Sequence, residues 1–269
     1  MRIYIGIILI WLCVLVSTFY CTPANLSKLL RNPDEHRYTV SEGIPKRIVT
    51  TTKDKSAIPR HIYDQYKKYA TEYTFSIYDN ADCIKFLETF YSRKVVRRFN
   101  ELQEGAHKAD LFRYAYLYIY GGVYLDVKTI LLDHISTIFE HHKSHFYMVF
   151  TDNDRMYNGI LATPRHNKYF LHLLSDIVNG PRIRHYLQYC VSASYILRNC
   201  YLINRDKKKG PHQTVDEIPD VVLFKEIFCN ADKHCNKRAD RYGYCNFAVD
   251  INDRKVFKIR DPTYGKIWK

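Results

Sequence analysis

The spacing of apolar positions along this chain changes several times, and each change marks an element. Residues 3–21 are an almost unbroken apolar run without a charge. At 1.5 Å per residue it reaches about 28 Å, close to a bilayer core. Arg2 precedes it, which favours a cytosolic N-terminus and a lumenal remainder. Residues 22–43 are polar and turn-rich and read as a stem. The β-branched run 44–51 predicts a first strand, 59–70 a helix with Pro59 at its start, and 73–78 a second strand by alternation. Asn80 is placed to cap a helix whose apolar positions are Ile84, Phe86, Leu87 and Phe90. Ala109, Phe112, Tyr116, Leu117 and Tyr120 recur at helical spacing, predicting a helix over 106–120 that Gly121-Gly122 ends. A short strand at 123–125 follows, with Asp126 at its far end. Further strands are predicted at 146–150, 159–163, 221–224, 247–251 and 256–259, and helices at 167–179 and 183–199.

Strands that alternate with helices predict an α/β domain over 44–269 with a mostly parallel sheet. Ligands in such sheets gather at the carboxyl ends of strands, where Asp126 stands. The rival to a signal anchor over 1–21 is a cleaved signal peptide ending near Thr22-Pro23-Ala24; both deliver the rest of the chain to a lumen or beyond. The net charge of +13 suits an anionic partner. Its lysines and arginines are scattered, no nucleic-acid motif accompanies them, and the expectation is a phosphorylated small molecule with no nucleic acid. In a lumenal domain, Cys190, Cys200, Cys229, Cys235 and Cys245 are disulfide candidates whose pairing the sequence leaves open.

The chemistry concentrates in 105–129. Asp110 and Arg113, three residues apart, share one helix face, and the double-glycine turn returns the chain so that Asp126 approaches that face. Transfer of a sugar from a nucleotide needs a cation to meet the charge growing on the leaving diphosphate, and polar groups to hold the sugar hydroxyls. Spacing alone favours a plainer reading, a helix-surface ion pair and an aspartate closing a strand.

The wording of this segment goes further. Lys-Ala-Asp-Leu-Phe-Arg-Tyr at 108–114, followed by Tyr-Gly-Gly-Val-Tyr-Leu-Asp at 120–126, resembles the signature of glycosyltransferase family 32, which includes α-mannosyltransferases of the fungal Golgi. Ile-Pro-Lys-Arg-Ile at 44–48, Tyr-Asp-Asn at 78–80 and Asn-Gly-Ile-Leu-Ala-Thr-Pro at 158–164 are similar to further family segments. The resemblance implies a GT-A, Rossmann-like fold with a mixed, mostly parallel sheet, behind one N-terminal transmembrane helix. It implies a single-pass type II Golgi membrane protein, or a secreted one. It also implies retaining transfer of a hexose or N-acetylhexosamine from a nucleotide-sugar donor to a glycan, glycolipid or glycoprotein acceptor. By position, Asp110 holds donor-sugar hydroxyls, Arg113 contacts sugar and diphosphate, and Asp126 is the first carboxylate of the DxD motif. Lys128, Asn158, Tyr124, Ile48 and Trp268 fall at donor-binding positions. The family's companion ion is divalent, Mn²⁺ or Mg²⁺, with Asp126 as its protein ligand.

One departure bears on that ion: the motif reads Asp126-Val127-Lys128. At ~5 Å and an effective dielectric of ~20, an ammonium repels a dication by roughly 6–7 kcal/mol. Three readings stay open. Lys128 neutralises the diphosphate itself; or it turns away while a metal binds Asp126, phosphate and another carboxylate; or the site is inactive and only binds. Glu140, His141, His142 and His145, and likewise Asp152 and Asp154, read as solvated polar segments.

Overall fold

The computed structural model describes residues 26–32, 40–140, 145–150, 156–179, 220–228, 246–250 and 252–259. The strands are β1 (Arg47–Thr51), β2 (Thr74–Tyr78), β3 (Gly122–Leu125), β4 (Ile130–Leu131), β5 (His145–Phe150), β6 (Met156–Thr163), β7 (Asp220–Phe228), β8 (Asn246–Val249) and β9 (Lys255–Lys258). The helices are α1 (Arg60–Tyr69), α2 (Asn80–Phe90), α3 (Arg93–Glu101), α4 (Gly105–Tyr120), α5 (Ile135–Ile138) and α6 (Lys168–Asn179). All the strands join one sheet, in the order β2-β1-β3-β6-β5-β7-β8-β9-β4.

The sheet is mixed rather than mostly parallel. β1 runs parallel to β2 and β3, and β5 to β7, but β3–β6, β5–β6, β7–β8, β8–β9 and β4–β9 are antiparallel. The short links β5–β6 and β8–β9 can only join antiparallel neighbours, whereas parallel pairs need a crossover, supplied here by α1 and by α2–α4. The chain leaves β1 for β2 on one side and later returns to β3 on the other. A topological switch point therefore lies between the carboxyl ends of β1 and β3.

Alternation along the strands sorts side chains between two cores. Val49, Tyr124, Phe146, Met148 and Leu161 pack with α4 and α6 on one face. Ile48, Val123, Leu125, Val149 and Ile160 pack with Ile62 and Tyr66 of α1 on the other. Every residue of α4 from Asp110 to Ile119 is buried, which explains its lack of a polar face. Gly121 ends it at φ +59, and a Cβ there would lie 2.7 Å from the Arg165 nitrogen. At Gly122, φ +95, a Cβ would lie 2.7 Å from the Arg47 carbonyl oxygen. Both positions need glycine for conformation and for space.

Two local expectations change. Asp79, not Asn80, caps α2: its side chain accepts from the Asp82 amide, and Asp82 accepts from the Asp79 amide. α3 has no counterpart in the sequence reading, because Arg and Lys interrupt its short apolar stripe. Val95 and Phe99 are buried there, and Arg98 lays its stem along them to donate to the Ile177 carbonyl (2.8 Å). Among the described residues no helix is long and apolar enough to cross a membrane. The apolar run 3–21, half of the stem and the helix expected at 183–199 lie outside them.

Candidate functional site

Asp126 leaves β3 at the switch point. Its amide donates to the Gly159 carbonyl of β6 (2.7 Å), so the start of β6 lies beside the end of β3. At that place β6 breaks step with β5: Met148 pairs with Leu161 but Val149 with Tyr157, and 158–160 face no partner on β5. Such a bulge re-aims side chains. The Asn158 side-chain amide donates to Asp110 Oδ1 (3.2 Å). The Asn158 carbonyl, which no strand partner uses, accepts from Arg113 Nη1.

Arg113 is the hub. Its Nε lies 3.6 Å from Asp110 Oδ1 and its Nη2 3.4 Å from Asp126 Oδ1. Nε also donates to the Ala109 carbonyl (3.1 Å), and the guanidinium lies 4.3 Å from the centre of the Tyr124 ring. With 6% of its side chain exposed, it is held from every side. Asp126 is engaged through both oxygens. Tyr124 donates its hydroxyl to Oδ1 (3.1 Å) and Tyr157 donates its own to Oδ2 (3.2 Å). Because the one Tyr124 proton serves Asp126, the Thr51 hydroxyl, 2.9 Å away, is the donor to Tyr124. Lys128 does not turn away: its Nζ is 3.5 Å from Asp126 Oδ2.

The two carboxyls are driven apart. Burial pushes Asp110 above the ordinary carboxyl range; Arg113 and Asn158 oppose this without overcoming it, and the Asp126 charge adds to it. Burial acts on Asp126 too, but Arg113, Lys128 and the hydroxyls of Tyr124 and Tyr157 outweigh it and hold that carboxyl below its usual value. Asp126 is thus a fixed anion. Asp110 is the carboxyl that takes up a proton more readily of the two, and its oxygens can accept from a hydroxyl. The Asn158 Oδ1 beside it is buried without a hydrogen-bond partner.

This donor set does not suit a divalent ion. Both Asp126 oxygens face a cation and a hydroxyl, Asp110 is separated from Asp126 by Arg113, and among the described residues no three His, Cys, Asp or Glu converge. Asp110, Arg113, Tyr124, Asp126, Lys128 and Asn158 therefore meet in one place. Ile48 does not join them: it is fully buried in the core with Ile62 and Val123, the inward-pointing neighbour of Val49 on β1, and its role is packing. Trp268 and the five disulfide candidates lie outside the described residues; Cys83 is a buried free thiol in the α4-side core. Sequence reasoning missed Thr51, Tyr157 and Gly159. A Cβ on Gly159 would fall 2.6 Å from Asp126 Oδ2 and 2.3 Å from the Tyr157 ring, so this glycine lets the two meet. A glycine inside a strand pattern is the signal that could have found the bulge. A groove lined by Arg31, Glu88, Arg93 and Arg97 is separate and contains none of these residues.

Residues 32–145 match the family described as "Glycosyltransferase sugar-binding region containing DXD motif". That stretch holds Asp110, Arg113, Tyr124, Asp126 and Lys128, while Asn158 lies beyond it. Over 110 residues the chain is 31% identical to the "Initiation-specific alpha-1,6-mannosyltransferase" of Saccharomyces cerevisiae. The match takes in 37% of this chain and 23% of that protein, so the similarity spans about a quarter of the relative's length. Both findings support the family resemblance carried by 108–126.

Proposed function

We propose, for a chain whose residues 32–145 match the glycosyltransferase sugar-binding region family, that it transfers a hexose or N-acetylhexosamine from a nucleotide-sugar donor to a glycan or glycoconjugate hydroxyl, with retention of configuration. The observation that carries this is the meeting of Asp110, Arg113 and Asp126 at the switch point between β1 and β3. Asp110 and Asn158 hold the sugar hydroxyls, the unpartnered Asn158 Oδ1 accepting from one. As the bond from the anomeric carbon to the diphosphate oxygen breaks, its electron pair stays on that oxygen, facing the Arg113 and Lys128 charges. The acceptor hydroxyl attacks the face the diphosphate leaves, and its proton passes to the departing oxygen. The relative's printed activity makes an α-mannosyl donor the first to try.

Full-length protein in detergent, given a panel of GDP- and UDP-sugars, is expected to hydrolyse one donor slowly and faster with an oligosaccharide acceptor. The product anomer read by NMR checks retention. Binding of a donor with no turnover of any would favour the alternative, an inactive sugar- or nucleotide-binding relative, for which Lys128 in place of the second motif carboxylate is the motivating residue.

Residues 3–21 serve in this reading as a type II anchor that keeps the domain in the Golgi lumen. The full-length chain is then expected to stay in the membrane pellet through alkaline carbonate extraction. Release into the supernatant would support the cleaved, secreted form.

A further inference from the structure

We propose that the Lys128 ammonium takes the place of a divalent cation, so that this chain binds the diphosphate of its donor without metal. The inference rests on the donor reading above and specifies how that site meets its anion. Lys128 lies on the loop just after β3, with Nζ 3.5 Å from Asp126 Oδ2 and 5.9 Å from the centre of the Tyr157 ring. Oδ2 thus faces Lys128 and the Tyr157 hydroxyl, and Oδ1 faces Arg113 and the Tyr124 hydroxyl. A dication bound to Oδ2 at about 2.2 Å would sit within several ångströms of the ammonium. The repulsion between ammonium and dication would act against every contact made by a single carboxylate. Among the described residues no second carboxylate offsets it: Asp110 lies across Arg113 from Asp126, and the third motif position is Lys128 itself.

Exposure divides the work between the two cations. Arg113 is covered, with 6% of its side chain exposed, while Lys128 keeps 30% and Asp126 20%. Lys128 is therefore the charge an entering diphosphate meets first, and Arg113 backs the pocket. A lysine recognises phosphate as a point charge, needing no fixed fork. Asp126 then acts by orienting two cations rather than by ligating a third. The swap from carboxylate to ammonium changes the site by two charges, the same as a bound dication supplies.

The test is calorimetric binding of GDP and of UDP to the full-length protein in detergent, with EDTA and with Mn²⁺, for wild type, Lys128→Ala and Lys128→Asp. Wild type is expected to bind one of the two equally well in EDTA and in Mn²⁺. Lys128→Ala is expected to bind at least ~10-fold more weakly, and Lys128→Asp, which restores two motif carboxylates, to bind only when Mn²⁺ is present. Circular dichroism melting confirms that the variants are folded. Wild-type binding that requires Mn²⁺, or a Lys128→Ala variant that binds as tightly as wild type in EDTA, overturns the inference and leaves the donor reading standing. No binding of either nucleotide in any condition overturns both.

Discussion

Arg113→Ala is expected to cost about 3–5 kcal/mol of stability and to lower turnover by at least ~10²-fold. Removing the guanidinium leaves Asp110 and Asp126 facing each other in a site that excludes water, and frees the Asn158 carbonyl of its donor. For a domain whose total stability is about 5–15 kcal/mol, that is a large share. The pH dependence gives the cause away. With Arg113 gone, the main opposition to burial is lost at both carboxyls, and the pKa of Asp110, already raised, moves further up. A carboxyl with a raised folded value contributes stability below that value and loses it as pH rises through it. The variant's urea midpoint should therefore fall from pH 5 to pH 8. Arg113→Lys, which keeps the charge and loses the fork, should recover most of the stability and little of the turnover. A midpoint for Arg113→Ala equal to wild type at both pH values would contradict the hub role.

Asp126→Asn is the second large effect, and it should separate activity from folding. The amide keeps the shape and can still accept from Tyr124 or Tyr157, and Asp110 still balances Arg113. The expected stability cost is about 1–3 kcal/mol. Lost is the anion that aligns Arg113 and Lys128 towards one point, and turnover is expected to fall by about 10²–10³-fold. In the wild type, Asp126 has a lowered folded value. Its contribution is present above the unfolded carboxyl range and is lost as pH falls through the folded value, so acid should weaken wild type more than the variant. Chemical denaturation at pH 4 and pH 7 beside donor hydrolysis measures both; near-wild-type turnover would remove Asp126 from the site.

The sequence told more about the centre of the fold than about its edges. The run from Asp110 to Asp126 was legible because helix, double glycine and strand each carry a local signal, and together they dictate that the chain doubles back. That antiparallel pairs outnumber parallel ones in the mixed sheet was not, since strand direction depends on which strands pair, a long-range matter that periodicity does not encode. α3 was hidden because its buried Arg98 reads as polar although its stem packs as a hydrocarbon. Ile48 was misassigned because motif position does not say which way a strand residue points; the alternation on β1 turns it into the α1-side core. Lys128 was legible as a departure, but only the geometry shows it turned towards Asp126.

The irregular start of β6 has a thermal consequence. Residues 158–160 give up their ladder to β5 in order to aim Asn158 and to bring Gly159 against Asp126. In the proposed reading, Asn158 and Gly159 thus stand where β6 is held by β3 but not by β5, one of two breaks of register in the sheet. Local opening there needs less free energy than disruption of the two cores. On warming, donor hydrolysis is therefore expected to fall before the circular dichroism signal melts, and coincident loss of the two would contradict this.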